Sequence, residues 1–130
     1  MIAKDIYLYL AADTALQVLL EATEADSKLY PNIAKMTAKP PFIVYRSTNP
    51  GGTTEEVISE ESLNIIITAA DFEGVLAAAA RVTELLDGVE DVPAEDYYIY
   101  YAKKTGGNDY VDDLNRSVRV LTFSFKFRSK

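Results

Sequence analysis

The side chains best placed to do chemistry in this 130-residue sequence are carboxylates, because it holds no Cys and no His. Their absence excludes disulfide scaffolds, Cys/His zinc sites, Cys-His nucleophiles and the Ser-His-Asp triad. Acid–base work would fall to Asp, Glu, Lys, Tyr and Arg. Several carboxylate pairs are adjacent: Glu55-Glu56, Glu60-Glu61, Glu90-Asp91, Glu95-Asp96 and Asp112-Asp113. Catalysis by paired carboxyls needs two groups converging on one substrate. Neighbours on a strand point to opposite faces, so adjacency argues for solvated surface instead. Asp109, Asp112 and Asp113, beside Asn108, offer oxygen ligands to a hard cation, but without EF-hand spacing. Whether that loop binds a cation stays open. The pairs Gly51-Gly52 and Gly106-Gly107 match neither phosphate-binding glycine pattern and are read as turn glycines. No catalytic residue, cofactor or metal site is assigned.

Tyr97, Tyr98, Tyr100 and Tyr101 put aromatic rings on both parities of one strand. One face belongs to the core. The other suits stacked bases or a protein interface. Charge favours the interface: 13 Lys+Arg stand against 20 Asp+Glu, for a net −7, whereas nucleic-acid binding needs a cationic surface. The charge is also unevenly placed. Positions 55–96 hold twelve acidic residues and one basic, Arg81. Positions 116–130 hold five basic residues, Arg116, Arg119, Lys126, Arg128 and Lys130, and no acidic one. Opposite charge on two parts of one molecule suits head-to-tail contacts between copies, which close into rings when the rotation permits.

These groups must be positioned by secondary structure. Hydrophobic content of 48% and charged content of 25% are ordinary for a globular domain. No apolar run reaches the length of a membrane span. The opening residues lack a signal peptide's basic and apolar regions, so a cytosolic chain is expected. Positions 2–23 read as one bent helix or two short ones, with Ile6, Tyr9, Leu10 and then Leu16, Leu19, Leu20 at helical spacing and Asp13 as a cap between them. Positions 28–32 form a short extended piece, 33–39 a loop and 42–46 a strand. Asn49-Pro50-Gly51-Gly52 is a turn by chemistry. It leads to a return strand over 55–70 with Leu63, Ile65, Ile67 and Ala69 on its inward face. Asp71 caps a helix with Phe72, Val75, Leu76, Ala79, Val82 and Leu86 on one stripe, ending near Gly88. Positions 89–95 read as an acidic loop. A tyrosine-rich strand over 96–104 follows, then a Gly-rich turn over 105–109. The final strand, 115–128, changes phase from Val118 and Val120 to Leu121, Phe123, Phe125 and Phe127. That predicts a bulge over 120–122, or an upper half that leaves the core. The fold class is α+β: a mostly antiparallel sheet with long hairpins, and N-terminal helices and one central helix on one face, in a single domain spanning 1–130.

This order of features resembles the tail-terminator, or tail-completion, proteins of long-tailed bacteriophages and prophages, the minor tail protein U type. The resemblance rests on Asp13-x-Ala15-Leu16, on Lys28-Leu29-Tyr30-Pro31-Asn32 and on Pro41-Phe42-Ile43-Val44-Tyr45. It continues through the polar-tipped hairpin, the Asp71 helix, the Tyr-rich strand and Asp109-Tyr110 up to Arg116-Ser117-Val118-Arg119-Val120. It covers nearly the whole chain, with loose patterns and no catalytic signature. It implies a structural protein and no enzyme. Such proteins form a ring, commonly a hexamer, that caps the tail tube, ends its polymerisation and gives the head a docking surface. The implied partners are further copies of the chain, the tail tube protein and a head-completion or neck protein. DNA passes without specific binding and no membrane is involved. The implied location is the tail–head junction of the virion, and the host cytoplasm during assembly.

Under that resemblance, the hairpins 46–61 and 103–115 reach a neighbour or the tube. Pro50, Gly51, Gly52, Glu55, Glu56, Tyr98, Tyr100, Gly106, Gly107, Asp109, Arg119 and Lys126 are then interface candidates. Glu60, Glu61, Glu90 and Asp91 are candidates to face the channel, where acidic groups repel phosphates. Three other readings compete: a head-completion or neck adaptor, a small carboxylate-dependent enzyme or ligand-binding domain, and a single-strand nucleic-acid module using the Tyr strand.

Overall fold

A computed structural model describes residues 2–35, 37–48, 53–55 and 58–130, with backbone alone at 53–55. The described residues form three helices and seven strands. They are α1 Ala3–Ala11, α2 Thr14–Leu19, β1 Leu29–Pro31, β2 Phe42–Ser47, β3 Thr53–Glu55, β4 Ile58–Ala69, α3 Phe72–Leu86, β5 Val89–Val92, β6 Tyr97–Val111 and β7 Ser117–Ser129. The strands make one sheet in the order β1-β2-β4-β7-β6-β5, with β3 also paired to β4. Every pairing is antiparallel except β1 with β2. The class is α+β, as the sequence predicts.

The core follows the inward rows of the two central strands. Leu63 and Ile65 of β4 oppose Phe123 and Leu121 of β7. Ile2, Ile6, Leu10, Leu16 and Leu20 from the N-terminal helices and Val82 and Leu86 from α3 close over them, all fully buried. The break at Asp13 is real: its carboxylate accepts from the Leu16 N–H at 2.8 Å and starts α2. Asp71 caps α3 in the same way, accepting from the Gly74 N–H at 2.8 Å. Replacing Asp71 by Ala orphans that donor and is expected to cost about 1 kcal/mol in a urea melt. Gly88 takes φ 69° just past the end of α3, as its position predicts.

Five expectations need correction. The 49–52 turn lies outside the described residues, but Glu55 belongs to β3 on the outgoing side, and the return strand starts at Ile58. The stretch after Gly88 is no simple loop: β5 pairs with β6, and Asp91, at φ 53°, is skipped in the register. That skip puts Val89 and Val92 on one side despite their odd spacing. Gly106-Gly107 is no turn. β6 runs straight through both to Val111, and the reversal comes at residues 112–116, where Asn115 takes φ 62°. The hairpin is thus flush with its neighbours, not a projecting arm. The predicted bulge in β7 is absent; β7 keeps continuous register with β4 from Ser117 to Phe127, and the irregularities lie opposite, in β6 at Ile99/Tyr101 and Lys104/Gly106. The phase change is a change of face: Val118 is buried in a row with Phe42 and Thr68 on the far side of the sheet. Lastly, α3 buries Ala78 where Phe72 and Leu76 were expected; those two are 51% and 40% exposed. The burying stripe is rotated toward the small residues, which let the helix approach the sheet.

No helix of the described residues is long and apolar enough to cross a membrane.

Candidate assembly surfaces

The three helices of the described residues lie on one face of the sheet. The other face presents the even-numbered residues of β4 and β7, and no described helix packs on it. Its centre is apolar. Tyr30, Val44, Ile66 and Val120 sit side by side across four strands, in direct register. Toward the open end of the face stand Lys103, Lys126 and Arg128. None of the three forms an ion pair with a described residue. Tyr98, 46% exposed, shares this face through its register with Arg128. The Arg128 guanidinium lies 4.9 Å and the Lys130 ammonium 5.3 Å from its ring centre. Cations over an exposed tyrosine are stabilising, and they occupy ring surface that a base would stack on. Tyr100 falls at the β6 bulge and is exposed.

Arg119 and Lys126 do not share a patch. Their odd and even positions put them on opposite faces of β7. Arg119 is engaged within the chain: its Nε and Nη2 donate to the two Asp109 oxygens at 2.7 and 2.9 Å, and the guanidinium sits 5.8 Å from the Phe72 ring centre. That guanidinium holds the Asp109 carboxyl below the usual range. Asp112 accepts from the Arg116 and Leu114 N–H groups and from Arg116 Nε, at 2.9, 3.0 and 2.8 Å. The Arg116 backbone bond leads the causes that lower its pKa. Two carboxylates of the suspected cation loop therefore serve arginines, and no cluster of three potential ligands occurs among the described residues.

The candidate acidic residues separate. Glu60 is exposed on the open face and accepts from Ser124 Oγ at 2.9 Å. Glu61 is fully buried because it occupies the inward parity with Leu63 and Ile65. Glu90 and Asp91 lie on β5, an edge of the sheet. Pro50, Gly51, Gly52 and Glu56 lie outside the described residues, as does the Glu55 side chain.

Sequence reasoning missed several polar groups that fix the helix layer. Asp5 is buried and accepts from the Glu95 and Asp96 N–H groups at 3.2 and 3.3 Å, tying α1 to the β5–β6 connection. Arg81 of α3 forks onto Asp13 at 2.6 and 2.8 Å, 68 positions away. No local spacing signals either bond. Both carboxylates border an apolar groove of about 570 Å³ lined by Leu8, Tyr9, Leu85 and Pro93. Its size suits a small ligand, but its two acids are already committed to structural partners.

Asp26 organises the β1 edge. It accepts from the Lys28 N–H at 2.9 Å and from Tyr30 Oη at 2.8 and 3.1 Å, and pairs with Lys35 at 2.9 Å. Lys35, then the Lys28 N–H, hold its pKa down at about 2, while burial and then Asp26 push Tyr30 up to about 12. A depressed folded pKa stabilises above the unfolded value of about 4 and is lost as pH falls toward about 2. Thermal melts between about pH 5 and pH 2 are expected to fall less steeply for Asp26→Asn than for the unaltered chain.

The arrangement defines a class: a two-layer α+β domain whose second sheet face carries no described helix, with a partly buried apolar centre and a basic rim. In comparisons with known proteins, no family profile matches the chain, and no curated protein matches it in sequence. Among solved structures, it is similar to a chain of the virion of a native gene transfer agent particle. The match has a TM-score of 0.61 at 18% identity and covers 97% of this chain and 92% of that one. At that identity the likeness is one of fold.

Proposed function

We propose that this chain is a structural component of a phage-like particle that assembles as a ring on the end of a tail tube. It ends tube growth and presents a surface to the head or neck. The observation that carries this reading is the fold shared, over nearly the full length of both chains, with a chain of a gene transfer agent virion. The sequence resemblance to tail terminators narrows the position within the particle. The uncovered sheet face and the uneven charge supply surfaces for contacts between copies. In this reading Glu60, Glu90 and Asp91 are exposed acids available to a channel through which DNA slides. The role is mechanical and not catalytic, and the site of action is the tail–head junction.

Two measurements test it. Light scattering across a protein concentration series is expected to show a species of about six chains that weakens with salt. Co-sedimentation with purified tail tubes is expected to place the chain at tube ends and to stop tube elongation. Binding to heads but not to tubes would instead make it a neck adaptor. Binding to neither, with a monomer at every concentration, would remove the ring reading.

A further inference from the structure

We propose that the uncovered sheet face is one half of a contact between copies, and that the side of α3 carrying Phe72 and Leu76 on a second copy is the other half. This rests on the ring reading and names the surfaces that would build it. Two observations carry it. First, each surface exposes apolar groups that its own chain leaves uncovered. On the sheet face, Ile66 and Val120 are half-buried side by side with no described helix above them. On α3, Phe72 and Leu76 stand one turn apart at 51% and 40% exposure. Two such patches hide apolar area when they meet.

Second, the charges around the two patches are opposite. Lys103, Lys126 and Arg128 rim the sheet face, with Glu60 as the acid between strands. Asp71 and Glu73 flank the Phe72 end of the α3 patch and are exposed, while Asp87, at the far end of α3, shares the Leu76 side with the exposed Lys104. Complementary potentials speed encounter and fix register more than they add affinity. The patches are different surfaces, so the contact is heterologous and can repeat from copy to copy until a ring closes. Arg119 lies beside the α3 patch, 5.8 Å from the Phe72 ring centre, with its charge paired to Asp109.

The test uses two full-length variants, each disabling one surface. Val120→Glu blocks the sheet face, and Leu76→Arg blocks α3. The exposed pairs Lys126→Glu/Arg128→Glu and Asp71→Asn/Glu73→Lys serve if a melt shows that either primary variant misfolds. Sedimentation velocity at low salt is expected to show multi-chain species for the unaltered protein. Each variant alone should associate more than about tenfold more weakly. An equimolar mixture of the two should form a two-chain species and nothing larger, since one intact patch remains on each partner. Variants that assemble like the unaltered chain would overturn the contact and leave the ring reading standing on another surface. A mixture that stays monomeric would overturn the pairing of these two patches. An unaltered chain that stays monomeric throughout would also overturn it, and the ring reading would then turn on tube co-sedimentation alone.

Discussion

Gly107→Ala is expected to destabilise the protein by about 2–4 kcal/mol and to lower its melting midpoint by roughly 10 °C. A methyl group at this position would meet the Val120 carbonyl oxygen at 2.5 Å. That partner is backbone at the centre of a paired strand, so neither side can yield without separating β6 from β7. Gly106 supplies the internal control. A Cβ there meets nothing within 4 Å, and Gly106→Ala is expected to melt within about 0.5 kcal/mol of the unaltered protein. Equal losses at the two glycines would mean that the pair matters for flexibility and not for close approach.

Phe123→Ala is expected to cost about 3–5 kcal/mol, a large part of the 5–15 kcal/mol that holds a domain of this size together. Phe123 is fully buried, opposite Leu63 on one side and Lys104 on the other, at the level where the helices close over the sheet. Urea denaturation should show a lower midpoint at an unchanged slope if the fold survives around the cavity. Tyr98→Ala, on the exposed face, should leave the midpoint nearly in place. A loss at Tyr98 comparable to that at Phe123 would mean that the cation-covered ring is a structural element of the monomer.

The contrast between these residues marks what the sequence could reveal. Periodicity exposed the inward rows of β4 and the lower half of β7 because a single burial face imposes strict alternation. Cap chemistry located Asp13 and Asp71 because a helix start has a local, short-range need. Gly106-Gly107 misled because the same residue pair answers two demands, a reversal of the chain or a close approach between strands, and only the partner strand decides. Ala78 outranked Leu76 in the core for a related reason: proximity of α3 to the sheet rewards small size, which hydrophobicity alone does not register. The phase change in β7 was legible as an anomaly, but its cause lay in strands 50 and more positions away. The candidate surface was legible in part. The Tyr strand and the basic C-terminal stretch stood out, yet the division of the tyrosines between two faces depended on a bulge in β6. The Asp13–Arg81 and Asp109–Arg119 pairings decide which charges remain free, and they appear only once the chain has folded.

The strand order also has a consequence for how the protein is made. β7 lies between β4 and β6 and supplies Leu121, Phe123, Phe125 and Phe127 to the core, yet it follows every other element in the chain. While a ribosome is still translating, β4 and β6 lack the strand that pairs them edge to edge, and the helix layer lacks the four β7 side chains that complete its core. At about 5–20 residues per second, that vulnerable interval ends only after synthesis has passed Ser129. Completion of the sheet is therefore expected to be a late event. A chain cut before Ser117 should be insoluble or captured by chaperones, even though it keeps all three helices.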